Sequence, residues 1–348
     1  MTSDVAADDS SREGRPMING ASDVAPTPSP TPNPCAGLAI HHILVPLDGS
    51  AIAERVVPFV TAVAAAFSAH ITLLRVLDPA DDPRAPIDAL EWEMARAEAQ
   101  TQLGQIEATF HGHGFATTVE IIQGKAAEQI AHFGRTHEAD LVVLSSHGAG
   151  GLNGWSLGGT VQKLLATTHA SVLIVPAQRG GLEPIRFHKI LLPLDCSQRA
   201  ECILPTATEL ARAHDAQLIL AHVVPEPEMP RRMPRSSEDV SLAERVVELN
   251  FSEAKRYLAD IQRRLSTSGA RVDVQIVVSP RRTQTLHELA RQEHADLVVL
   301  AAHGSTADTK QRYGGVASQF LHEGGEPVII LQDLAEVLHA PGQERPGH

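Results

Sequence analysis

The sequence contains the same succession of motifs twice, and this repeat limits the folds available to the chain. HHILVPLDGS (41–50) matches HKILLPLDCS (188–197), and EADLVVLSSHG (138–148) matches HADLVVLAAHG (294–304). A chain of 348 residues is also longer than one ordinary domain requires. The repeat therefore predicts two tandem domains of one fold.

The two copies differ in length. Asp48 and Asp195 lie 147 residues apart, whereas His147 and His303 lie 156 apart, so the second copy has nine additional residues between these motifs. We place them in EPEMPRRMPRSSEDV (226–240), where we expect irregular structure. The N-terminal tail, 1–37, is predicted to be disordered because of its Asp, Ser, Thr and Pro content. The first domain is predicted at 38–178, a linker at 179–185, the second domain at 186–333 and a C-terminal tail at 334–348.

Each copy alternates short apolar runs with helical patterns. ILVPL, ITLLRV, TTVEIIQ, DLVVLS and SVLIV are predicted strands, whereas AERVVPFVTAVAAAF (53–67) has the apolar spacing of a helix. Apolar strands separated by helices indicate an α/β, doubly wound fold, with a parallel sheet covered on both faces. Ligands of such sheets bind at the carboxyl ends of the strands.

Composition excludes several classes of protein. The net charge of −13 argues against a nucleic-acid partner. No apolar run is long enough to span a bilayer, and the N-terminus does not resemble a secretion signal, so we expect no membrane partner and a cytoplasmic location. Three cysteines without a CxxC pair fit a reducing compartment. Cys196 and Cys202 as a redox pair, or as buried thiols, are the two alternatives.

A glycine-rich loop follows the ADLVVL strand of each copy. In the first copy, Ser145-x-x-Gly148 is followed by nine residues and then by Gly158-Gly159; in the second, Ala301 and Gly304 precede Gly314-Gly315. Glycines before a helix let backbone amides approach a phosphate, and the helix N-terminus favours an anion. A tight structural turn explains the same glycines without a ligand.

Taken in order, ILVPLDGS, GKAAEQI (124–130), ADLVVLSSHG and SVLIVP resemble the universal stress protein family in its tandem two-domain form. The resemblance covers about 38–178 and 186–333. It implies a five-stranded parallel sheet in each half, of adenine nucleotide α-hydrolase type, and two halves paired as a pseudo-dimer. It also implies self-association through the last strands and an adenine nucleotide, ATP or AMP, as ligand, with Mg²⁺ as a companion ion.

Nucleotide-binding members of this family carry Gly-x-x-Gly, nine residues, and then Gly-Ser or Gly-Thr. Each copy here keeps two of these four identities, because Ser145 or Ala301 replaces the first glycine and Gly159 or Gly315 replaces the hydroxyl residue. Thr160 could supply the hydroxyl in the first copy. We therefore expect weak nucleotide binding in the first domain and a degenerate second site. The implied positions are Pro46, Leu47, Asp48, Val76, Ser145, His147, Gly148, Gly158, Gly159 and Thr160, and then Asp195, Val223, Gly304, Gly314 and Gly315.

Several of these residues have structural explanations as well. Asp48 and Asp195 are suited to an Asx turn or a helix cap, and Val76 and Val223 to the core of a strand. His147 and His303 could contact a ligand or hydrogen-bond the loop backbone. In the second loop, Lys310 or Arg312 could neutralise a phosphate or lie in solvent.

Three functions compete. The first is a non-enzymatic stress-response protein that binds an adenine nucleotide, and the second is a nucleotide-independent interaction module in which both loops are relics. An enzyme is the third, but the sequence contains no GxxxxGK[ST] loop, no GxGxxG after a first strand, no HExxH metal motif and no acid–base pair beside a nucleophile. Slow ATP hydrolysis stays compatible with the sequence; we expect no dedicated catalytic residue.

Overall fold

A computed structural model describes residues 39–78, 89–148, 157–179, 181, 183–227, 237–305, 311–323 and 325–332. The first half comprises β1 (His42–Pro46), α1 (Val57–Phe67), β2 (His70–Leu77), α2 (Ala89–Gly112), β3 (Thr117–Gln123), α3 (Ala126–Thr136), β4 (Leu141–Ser145), α4 (Gly159–Thr167) and β5 (Ser171–Val175). The second half comprises β6 (Lys189–Pro193), α5 (Ile203–His214), β7 (Gln217–Val224), α6 (Ser237–Thr267), β8 (Arg271–Val278), α7 (Arg282–Gln292), β9 (Leu297–Ala301), α8 (Gly315–Glu323) and β10 (Val328–Leu331).

All ten strands form one sheet, in the order β3-β2-β1-β4-β5-β10-β9-β6-β7-β8. The strands within each half are parallel, and the halves join where β5 and β10 pair antiparallel, with Leu173 opposite Ile329. This arrangement confirms the α/β class and the pseudo-dimer of two five-stranded sheets. The last strands of the halves thus pair with each other within one chain.

Helices cover both faces of the sheet. On one face, α1, α2, α5 and α6 contribute side chains such as Phe59, Phe110 and Leu258 to one apolar core. On the other face, α3, α4, α7 and α8 contribute to a second core, for example through Leu164 and Phe320. Strands buried on both sides need no polar alternation, which is why their sequences read as continuous apolar runs.

The junction between the halves also contains a buried acidic side chain. Glu326 precedes β10 and is 3% exposed; its Oε1 lies 3.8 Å from Arg179 Nη2 and 3.6 Å from Arg291 Nε. Its Oε2 lies 3.6 Å from Nδ1 of the buried His287. Burial alone would raise the pKa of Glu326, but His287 and the two arginines together hold that pKa below its ordinary value. Because Arg179 follows β5, this cluster, which we call the Glu326 cluster, ties the first half to the second.

Of two local predictions, one is confirmed and one is wrong. The segment 53–67 is helical, with a 3₁₀ turn at Ala53–Val56 before α1, whose second residue, Pro58, has no N–H to continue the hydrogen-bond series. The end of 226–240 is not irregular, because Ser237 already begins α6, in which acidic residues occupy the first turn. Residues 228–236, the two predicted tails and Cys35 lie outside the described residues. Within those residues, no helix combines the length and apolarity that crossing a bilayer requires.

Candidate functional site

The carboxyl ends of β1, β2 and β4 and the start of α4 enclose a cavity of about 450 Å³, which we call the first cavity. Its wall includes all ten positions predicted for the first site, although about a hundred residues of chain separate the earliest from the latest. Since β1 pairs with β2 only as far as Pro46 and Leu74, the end of β2 at Val76 is open toward the cavity. The sheet topology therefore brings the predicted residues together.

The Asp48 carboxylate holds the turn that follows β1. Its Oδ1 accepts a hydrogen bond from the Ser50 N–H at 2.9 Å, which is an Asx turn. Asp195 makes the same turn in the second half, where the N–H of Ser197 donates at 3.1 Å and its hydroxyl at 2.6 Å. Burial alone would raise the pKa of Asp195, but hydrogen bonds from Ser197 and Ser305 hold it below its ordinary value. Both aspartates thus have a structural role at the rim of a cavity.

Glycine is required at 148 because the Asp48 carboxylate lies against it. A Cβ built on Gly148 would lie 2.1 Å from Asp48 Oδ2, and one built on Gly304 would lie 2.2 Å from Asp195 Oδ2. These distances are far inside any van der Waals contact, so a side chain at either position would displace the carboxylate. The close approach couples the turn after β1 to the loop after β4, and the corresponding turn to the loop after β9.

The amide of Gly158, which we predicted could approach a phosphate, is hydrogen-bonded within its own loop. Its N–H donates to the Ser146 carbonyl at 2.9 Å, and the N–H of Gly314 donates to the Ala302 carbonyl at 2.7 Å. Among the described residues, a ligand could reach amides at the start of α4, where Gly159 and Thr160 are exposed on the cavity wall. Thr160 therefore lies where a hydroxyl could contact the same ligand.

Two polar atoms on residues of the cavity wall are buried without a hydrogen-bond partner among the described residues. They are Ser145 Oγ and His147 Nε2, on side chains whose residues are 8% and 7% exposed. The Ser146 hydroxyl accepts from the Ala177 N–H at 3.0 Å and lies 3.0 Å from His147 Nδ1. The hydroxyl proton can then go to Nδ1, which leaves the proton of a neutral ring on Nε2. Unpartnered buried polar atoms call for a group that completes them, such as a ligand or an ordered water.

The second half encloses a smaller cavity of about 260 Å³, the second cavity, at the corresponding carboxyl ends of β6, β7 and β9. Its wall includes all five positions predicted for the second site. His303 is engaged here, because its Nε2 hydrogen-bonds the Gln311 carbonyl at 2.7 Å, in agreement with the structural explanation of that histidine. Arg312 is neither a phosphate ligand nor a solvated loop tip: its Nη1 donates to the Thr168 carbonyl of the first half at 2.8 Å. Asp308 and Lys310 lie outside the described residues.

Comparison with known proteins decides the family. The model of the universal stress protein family matches residues 39–176 and again residues 186–332, which together make up most of the chain. The chain belongs to the universal stress protein family. A universal stress protein of Mycolicibacterium smegmatis is 25% identical over 299 residues, covering 83% of this chain and 96% of its own. One from Methanocaldococcus jannaschii is 26% identical over 137 residues, covering 38% of this chain and 80% of its own.

Solved structures agree on the fold of this universal stress protein. A universal stress protein from Archaeoglobus fulgidus aligns with a TM-score of 0.59 at 14% identity, covering 84% of this chain and 98% of its own. A putative universal stress protein from Pseudomonas aeruginosa aligns with a TM-score of 0.59 at 15% identity, covering 85% and 94%. At these identities the likeness establishes the tandem architecture alone.

Two residues that support the aspartate turns escaped the sequence analysis. Arg75 on β2 donates from Nη1 to the Leu47 carbonyl at 3.3 Å, and His222 on β7 hydrogen-bonds the Leu194 carbonyl through Nδ1 at 2.7 Å. Burial is the main reason that the pKa of Arg75 is lowered. The two side chains are 147 residues apart, as are Asp48 and Asp195, so an alignment of the two copies would have paired them.

Cys196 lies in the turn that follows β6. Cys196 and Cys202 form no disulfide, and burial raises the pKa of Cys196 to about 11. Cys196 has φ +64°, the left-handed conformation that Gly49 adopts at the same place in the first half. Among the described residues, no group of three or more His, Cys, Asp and Glu side chains could hold a metal ion.

Proposed function

We propose that this chain is a non-enzymatic stress-response protein that binds an adenine nucleotide, ATP or AMP, in the first cavity. The observation that carries the proposal is the convergence of the Asp48 turn, the Gly148 loop and the first turn of α4 on one cavity of about 450 Å³. The unpartnered atoms of Ser145 and His147 support it, because they lie in residues of the same wall. The adenine base is the expectation that follows from family membership.

Phosphate charge would be compensated mainly by backbone. The first cavity has no Lys or Arg in the described part of its wall, so the amides at Gly159 and Thr160 and the positive end of α4 are its electrostatic attraction for an anion. A helix terminus contributes about 0.3–1 kcal/mol for an exposed charge. We therefore expect weak binding that Mg²⁺ strengthens.

The second cavity is the poorer triphosphate site. It has no hydroxyl residue at the start of α8, where Gly315 and Val316 occupy the first turn, and the loop histidine is already hydrogen-bonded. We also propose that the chain has no dedicated catalytic residue. Turnover of ATP would then not exceed slow hydrolysis, which a radiolabelled ATP assay measures.

The test is a calorimetric titration of the wild-type protein and of two variants, Gly148→Val and Gly304→Val, with ATP and AMP in the presence and absence of Mg²⁺. In Gly148→Val the new side chain collides with Asp48, so we expect binding in the first cavity to fall at least about tenfold. Gly304→Val is the matched control, because it creates the same collision in the second half. The proposal fails if Gly304→Val protein binds no nucleotide, or if Gly148→Val leaves the first-cavity affinity unchanged.

A nucleotide-independent interaction module is the alternative, and one observation favours it. The Gly158 and Gly314 amides are both satisfied by their own backbone, as they would be in a purely structural turn. Thermal unfolding with added ATP distinguishes the two functions. ATP in excess should raise the melting temperature under the proposed function and leave it unchanged under the alternative.

A further inference from the structure

At one matching position the walls of the two cavities differ in charge. Ala126 begins α3 and lines the first cavity, whereas Arg282 begins α7 and lines the second. The two residues are 156 positions apart, the same separation as His147 and His303. A guanidinium group in the second half thus stands where the first half has a methyl group.

Arg282 is available to a ligand. Among the described residues it makes no hydrogen bond and no ion pair, whereas its neighbour Arg281 donates to Gln284 Oε1 at 3.2 Å. Arg282 is also the one Lys or Arg side chain in the described part of the second wall. An arginine fork matches a phosphate group with two parallel hydrogen bonds, and such charge-assisted pairs are roughly twice as strong as neutral ones.

The second cavity offers less room for a chain of phosphates. At about 260 Å³ it has little more than half the volume of the first. The amide that follows Gly304, which a phosphate cradle would leave open, is engaged: the Ser305 N–H donates to Asp195 Oδ2 at 2.5 Å. The described part of this wall therefore combines one arginine side chain that is available to a ligand with fewer available backbone N–H groups.

We propose that the second cavity is a separate site for a nucleoside monophosphate, and that Arg282 makes it selective for the charged nucleotide over the neutral nucleoside. The ligand class rests on the proposed function of the first cavity; the preference for one phosphate comes from the wall of the second. The two halves would then bind ligands of different phosphate number.

The experiment blocks the first cavity with Gly148→Val and titrates the full chain with AMP, ATP and adenosine in a calorimeter. We expect one AMP per chain, ATP no tighter than AMP, and adenosine at least about tenfold weaker than AMP. Adding Arg282→Ala should lower the affinity for AMP about tenfold and leave the affinity for adenosine unchanged. Arg281→Ala is the matched control and should change neither ligand.

Several outcomes overturn the inference and leave the proposed function intact. Nucleotide binding to Gly304→Val protein but none to Gly148→Val protein would show that the second cavity is vacant. Equal losses of AMP and adenosine in Arg282→Ala would show a packing role without charge selectivity. If circular dichroism shows that Gly148→Val protein is unfolded, Thr160→Trp replaces it, because that exposed position lets a large ring fill the first cavity. If Gly304→Val protein binds nothing, the proposed function itself fails.

Discussion

Ser145→Ala should stabilise the ligand-free protein and lower its affinity for the ligand. Ser145 Oγ is buried at the end of β4 with no hydrogen-bond partner among the described residues. An unsatisfied buried polar group costs about 1–3 kcal/mol, so deleting the hydroxyl while keeping Cβ should raise the free energy of unfolding by about 1 kcal/mol. At about 2.1 cal/mol/K of unfolding entropy per residue, that corresponds to a rise in Tm of about 1–2 °C for a folded unit of roughly 290 residues.

Ser171→Ala is the matched comparison. Ser171 is equally buried, at the start of β5, but its Oγ accepts a hydrogen bond from the Gln332 N–H at 3.2 Å. Removing that acceptor should lower the free energy of unfolding by about 0.5–1.5 kcal/mol. The same chemical change at two neighbouring strands should therefore have opposite signs.

Thermal unfolding followed by circular dichroism, with and without ATP, measures both effects. If the ligand completes the Ser145 hydroxyl, Ser145→Ala should lower the ATP affinity about three- to tenfold and reduce the ATP-induced rise in Tm. Equal destabilisation by Ser145→Ala and Ser171→Ala would refute the reasoning, because it would mean that Ser145 has a partner in solution. Unchanged ATP affinity would separate this hydroxyl from the binding site.

Three further predictions follow from other parts of the chain. Glu326→Gln should lower the free energy of unfolding at pH 7 by about 1–2 kcal/mol, which urea unfolding curves measure. The folded-state pKa of Glu326 lies below its ordinary value of 4.5, so the difference between the variant and wild type should vanish as pH falls through that lowered pKa. Cys196, with its pKa raised to about 11, should react with iodoacetamide at pH 8 at least about tenfold more slowly in the folded than in the unfolded chain, as mass spectrometry of the labelled peptide would show. Gly49→Ala should destabilise more than Gly269→Ala in chemical denaturation: both glycines have positive φ, but a Cβ at Gly49 meets Gln102 Oε1 at 2.7 Å whereas one at Gly269 meets nothing within 4 Å.

The sequence predicted the architecture because the relevant signals are local and repeated. Apolar runs bounded by turn residues recur in the same order in both copies, and the five runs predicted as strands in the first copy all became strands of the sheet. The prediction that failed depends on where a helix begins, because Ser237 starts α6 within a segment whose prolines and arginines suggested a loop.

The site was predictable in its membership and not in its hydrogen bonds. Residues at the carboxyl ends of parallel strands must meet, so Asp48 and Gly148 could be placed together from topology. Their contact through a missing Cβ, and the use of the Gly158 amide by its own backbone, depend on distances that a sequence does not encode locally. Arg75 and Arg282 belong to no motif within their own copies, and they stand out only in comparison with their counterparts, His222 and Ala126.

The antiparallel pairing of β5 with β10 determines how this protein meets the molecules around it. Because every strand of the second half runs antiparallel to those of the first, the carboxyl ends of the strands in the two halves lie at opposite ends of the sheet along the strand direction. The mouths of the two cavities consequently face away from each other. A single small partner can therefore contact the opening of only one cavity at a time. A partner that responds to ligands in both cavities must be large enough to reach around the sheet or must bind as two copies.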